Sequence, residues 1–70
     1  MRVDVAAWRV IDRACAHLIL ARFGPYSERA RASLYRTAAL LLETAAELLR
    51  EEAEGAEGAE RMVRTAYERP

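Results

Sequence analysis

Alanine returns every seventh residue on both sides of a single Gly-Pro turn. Ala7, Ala14 and Ala21 precede Gly24-Pro25; Leu34, Ala38, Leu41, Ala45 and Leu48 follow it at intervals of 4, 3, 4 and 3. A repeat of seven keeps one side-chain row on one face of an α-helix, and alternation of 3 and 4 is the seam of two helices packed along their length. Alanine in the seam brings backbones close, with larger residues from the facing helix filling the layers. Parallel two-stranded coiled coils favour β-branched residues at the first seam position. The Leu/Ala seam therefore predicts antiparallel, closely packed helices.

The remaining residues agree with an all-α chain. Ala, Leu, Glu and Arg, all strong helix formers, dominate. No sustained period-2 run of β-branched residues signals a strand, and the threonines are Thr37, Thr44 and Thr65. Gly24-Pro25 is the strongest punctuation in the first half. The pattern predicts a helix over about residues 3–23, a turn over 24–27 and a helix over about 27–53. Ser27 is the expected N-cap and Glu28 suits the positive end of the helix dipole; Pro25 at the first helical position is an equally legal start.

Spacing of about 100° per residue places Ala7, Val10, Ile11, Ala14, Cys15, Leu18 and Ala21 on one face, with Arg9, Asp12 and Arg13 opposite. On the second helix Ala30, Leu34, Ala38, Leu41, Ala45, Leu48 and Leu49 form a stripe. Leu20 and Leu40 are apolar residues on polar sides. Residues 51–60 read E-E-A-E-G-A-E-G-A-E, and each interior glycine costs a helix about 1 kcal/mol. Beyond them Ala59, Met62, Val63, Ala66 and Tyr67 make a further stripe in phase with the second helix. One long helix bent at Gly55 and Gly58 is an alternative. The expectation is a Gly-interrupted acidic segment over 54–58 and a short third helix over about 59–68.

The order of helix, turn, long helix and short helix resembles the histone fold in outline alone. The acidic 51–60 run stands where that fold carries basic loop residues, and no motif supports a family assignment.

Length narrows the possibilities further. A chain of 70 residues is one small domain, and a single core of that size rarely contributes more than about 3–5 kcal/mol without a staple. One cysteine forms no internal disulfide. Cys15 and His17 lie about 200° apart on a helix and do not share a metal. Glu43, Glu47 and Glu51 lack the Glu-x-x-His partner of a di-iron bundle and sit on the polar face. No phosphate-binding Gly loop, serine–histidine pair or zinc spacing occurs. The chain reads as a non-enzyme without cofactor or metal. Cys15 is expected to be a small buried hydrophobe, and His17 a packed or hydrogen-bonded edge residue.

The zero net charge divides unevenly. Residues 1–36 hold seven arginines and three acids, a net +4; residues 37–70 hold four arginines and eight acids, a net −4. Arg22, Arg29, Arg31 and Arg36 gather around the turn with Phe23, Tyr26 and Tyr35. In an antiparallel assembly the two halves complement each other, while Glu57–Arg61 and Glu60–Arg64 add helix pairs worth a few tenths of a kcal/mol each. The alternative is a nucleic-acid-binding regulator whose arginine turn contacts phosphates; the neutral balance and the acidic second half argue against it.

The longest apolar run, residues 38–42, is far below the roughly 20 residues of a membrane span, and an acid at position 4 does not suit a signal peptide. The expected setting is cytoplasmic. The expected architecture is a helical hairpin with a short C-terminal helix, pairing into an antiparallel homodimeric four-helix-type bundle. Its interface is expected to comprise Leu34, Ala38, Leu41, Ala45 and Leu48 with Ala7, Val10, Ala14 and Leu18, the partner being a second copy first, with a second protein as the alternative.

Overall fold

A computed structural model describes residues 2–68. Two helices account for nearly all of them: α1, Val3–Phe23, and α2, Glu28–Glu68. No strand occurs among the described residues. The two helices pack against each other as an antiparallel hairpin.

Each helix end has a local cause. The first turn of α1 carries Asp4, whose carboxylate lies 3.5 Å from Arg2 Nε and accepts a hydrogen bond from the Val5 amide. At its other end the Gly24 amide donates to the Leu20 carbonyl at 2.8 Å, and Arg22 stands in the last turn, where a cation suits the dipole. Gly24 is extended, not left-handed. Its need is space: a Cβ there would run into the Tyr26 ring and the Leu20 carbonyl oxygen. Ser27 caps α2 as expected. Its Oγ accepts from the Ala30 amide at 3.2 Å and its carbonyl accepts from the Arg31 amide at 2.9 Å.

The expected third helix is not separate. α2 runs unbroken for 41 residues through Gly55 and Gly58. Two interior glycines cost about 2 kcal/mol together, but a break would expose new unbonded amide and carbonyl groups at both ends. No Ser, Thr, Asp or Asn stands between Glu51 and Glu60 to cap a new start, and no proline forbids continuation. The in-phase apolar stripe across the glycines is the sequence mark of this continuity.

The core is made of methyl groups. Ala7, Ala14, Ala21, Ala38 and Ala45 are 0–2 % exposed, and no larger side chain among the described residues is fully buried. The tight connection sets residues whose numbers sum to about 52 side by side, so Ala7 stands level with Ala45, Ala14 with Ala38 and Ala21 with Arg31. Five buried methyls contribute about 4 kcal/mol.

α1 reaches only to about the level of Leu49, so residues 50–68 of α2 project as an arm about 28 Å long. The molecule is a rod of 67 × 16 × 15 Å with a radius of gyration of 18.4 Å. A globular chain of this length would have a radius of gyration of about 11 Å.

Candidate interaction surface

A seam of alanines leaves larger residues in rows on either side of it. On α2, Leu34, Leu41 and Leu48 run along one side of Ala38 and Ala45; Tyr35, Leu42 and Leu49 run along the other, each row with a spacing of seven. On α1, Val10 and His17 flank the seam on one side, Ile11 and Leu18 on the other. In an antiparallel pair of right-handed helices, flanks turned the same way from the seam meet on one face. One face of the hairpin thus carries Val10 and His17 beside Leu34, Leu41 and Leu48. A hollow lined by Arg9, Val10, Arg13 and Leu41 lies in the groove of this face. The opposite face carries Ile11 and Leu18 beside Tyr35, Leu42 and Leu49, continuing outward to Trp8, Cys15 and Ile19.

The two faces differ in cover. Leu34, Leu41, Leu48, Val10 and His17 are half-buried within the chain. On the other face Leu18, Tyr35, Leu42 and Leu49 are 37–48 % exposed, Ile19 reaches 58 % and Trp8 64 %. Phe23 at the turn and Met62 on the arm are each 75 % exposed. The solvent-accessible surface is 5895 Å², against about 4,400 Å² for a globular monomer of 7.9 kDa.

The nine residues expected at an interface therefore divide into two sets. Ala7, Ala14, Ala38 and Ala45 lie between α1 and α2 of one chain, with no surface left for another. Val10 and Leu41 line one open groove, Leu34 and Leu48 continue its row at a spacing of seven, and Leu18 lies on the opposite face. Leu49 was expected in the apolar stripe of the second helix, but a second face joining it to Trp8, Ile19, Tyr35 and Leu42 was not expected, although the 35, 42, 49 spacing is its signal.

Cys15, expected to be buried, is exposed and free. It lies about 100° from the Ala14 seam, and a single partner helix covers a narrower arc than that. His17 is hydrogen-bonded as expected: its Nδ1 donates to the Arg13 carbonyl at 2.8 Å. Thr37, Thr44 and Thr65 each donate to the carbonyl four residues back. Of the expected helix pairs, Glu60 and Arg64 approach to 3.4 Å in an exposed setting.

The four turn arginines do not share a face. Arg31 lies on the seam row with Ala38 and Ala45, and its Nε is buried without a hydrogen-bond partner. Arg29 and Arg36 lie about 160–180° from that row, on the outside of α2. Arg22 sits on α1 with its guanidinium 5.6 Å from the centre of the Phe23 ring, a cation–π contact. Among the described residues no three His, Cys, Asp or Glu converge as metal ligands, and no helix is long and apolar enough to cross a membrane.

The class that this surface defines is a slender two-helix hairpin with an alanine seam and broad apolar flanks. No family model, curated protein or solved structure matches the chain.

Proposed function

We propose that this chain is a non-catalytic self-association module: its apolar flanks are covered by further copies, first of all in a homodimer. One observation carries the reading. Among the described residues the intrachain core is five methyl groups, while thirteen large apolar side chains stand 37 % or more exposed. Fully burying one Leu, Ile or Phe is worth about 1.5–3 kcal/mol, so association gains more than the hairpin gains alone. Several of them, Trp8, Leu18, Ile19, Tyr35, Leu42 and Leu49, share one face of the hairpin, and a grouped exposed apolar surface marks an interaction site.

Leu34, Leu41 and Leu48 are the anchors of the dimer, because their row runs along the groove between α1 and α2 and needs only a third helix to close over it. The face of Trp8, Ile19, Tyr35, Leu42 and Leu49 is then available to further copies or to a second protein. The compartment we propose is the cytoplasm, which suits a lone free thiol. Size exclusion with light scattering tests the reading. The expected mass is twice 7.9 kDa or a higher multiple. A fully helical monomer at micromolar concentration overturns it.

A further inference from the structure

The arm of α2 and the shortness of α1 fit one another in a second copy. α1 has 21 residues and α2 has 41. Two short helices laid end to end therefore match one long helix. The row Leu34, Leu41, Leu48, Gly55, Met62 keeps a spacing of seven along nearly the whole of α2, and Leu48 is the midpoint of both the row and the helix. A row centred on its helix is what an antiparallel pair of identical helices needs, since a two-fold axis returns each position to its mirror level.

Resting on the self-association reading above, we infer that the arm of each copy lies against the hairpin of the other. The two α2 helices run antiparallel over their full length, with the two-fold axis between Leu48 and Glu52. The axis is perpendicular to the plane of the two long helices, so both short helices fall on the same side of it, amino-terminus toward amino-terminus. Every cross-section of the rod then holds three helices, and neither arm stands alone in water. Met62, 75 % exposed in the single chain, is brought beside the partner's hairpin.

Charge favours the Leu48 end of this range and disfavours pairing arm with arm. Residues 51–68 hold six acids and two arginines, a net −4. With the axis at Leu48 the segments that face them, residues 7–24 and 28–45 of the other copy, hold six arginines and three acids, a net +3; with the axis at Glu52 the facing residues 1–16 and 36–53 hold five arginines and six acids, a net −1. Pairing arm with arm sets −4 against −4. Pairing the hairpins alone, centred near Leu41, leaves both arms uncovered.

Spin labels on the full-length chain test the register. In a Cys15→Ser background, Glu47→Cys and Arg64→Cys each provide one labelling site on an exposed position. Circular dichroism checks that both remain helical, light scattering gives the mass, and pulsed dipolar spectroscopy gives the distance between copies. At 1.5 Å per residue the axis above predicts an axial separation of about 3–15 Å at position 47 and about 36–48 Å at position 64. An oligomer with the order reversed, short at 64 and long at 47, means arm-on-arm pairing. Short distances at both sites mean a parallel pair. A separation near 70 Å at position 64 means hairpins pairing without their arms. Each of these overturns the inference and leaves self-association standing. A monomer overturns both.

Discussion

Single positions in this chain are constrained by space more than by chemistry. Gly24 has an ordinary extended backbone, so its requirement is the close approach of the Tyr26 ring and the Leu20 carbonyl. Gly24→Ala is expected to destabilise the hairpin by about 1–3 kcal/mol, the range for overpacking, as read by urea denaturation. A seam alanine is constrained in the same way. Ala14→Leu and Ala38→Leu force the backbones apart and are expected to cost a similar amount. A variant as stable as the parent would show that the seam is loose. At this scale the sequence was legible where a rule of spacing applied: Ala7, Ala14, Ala21, Ala38 and Ala45 were all singled out by period and all prove buried. It was less legible at Cys15. Angular position gave its distance from the seam correctly, but how wide an arc a partner covers depends on how many helices pack around α1, and periodicity does not count them.

For the helices themselves, ends were easier to read than continuity. Ser27 and the Gly24-Pro25 turn fixed the boundary between α1 and α2 to within a residue, because caps and turns are local chemistry. Ser27→Ala is expected to lose about 1 kcal/mol of stability. Gly55 and Gly58 suggested a break because propensity counts only the cost of a residue inside a helix. It leaves out the cost of making two new ends, which decides the matter here. A Cβ at either glycine would meet nothing within 4 Å. Gly55→Ala and Gly58→Ala are thus expected to raise stability by about 1 kcal/mol each, with stronger helical ellipticity. A fall in helicity would mean that the glycines serve a bend.

At the level of the whole molecule, a surface of 5895 Å² on 70 residues is the dominant fact. Shortness and the absence of an internal disulfide already pointed from sequence to a supplement from outside the chain. Which rows would close inside the hairpin and which would stay open was not legible, because alanine and leucine rows lie in one stripe until a partner helix chooses between them. Leu41→Glu places a charge in the groove between α1 and α2 and is expected to lower the particle mass and the midpoint of unfolding together. An unchanged oligomer would move the interface to the opposite face, where Trp8→Ala and Leu42→Glu become the informative variants.

The methyl seam has a further consequence, for the search for relatives. A position that admits a methyl and little more tolerates few replacements, whereas the solvated arginines and glutamates around it are free to drift. Descendants of a common ancestor are thus expected to part company over most of their length and still keep small residues at positions 7, 14, 21, 38 and 45. That sparse ladder, set on either side of a short turn, is a sharper query than overall identity. It is also a test of the packing that uses nothing but other genomes: relatives recovered by the turn and the helix lengths, yet bearing bulky residues on those rungs, would contradict it.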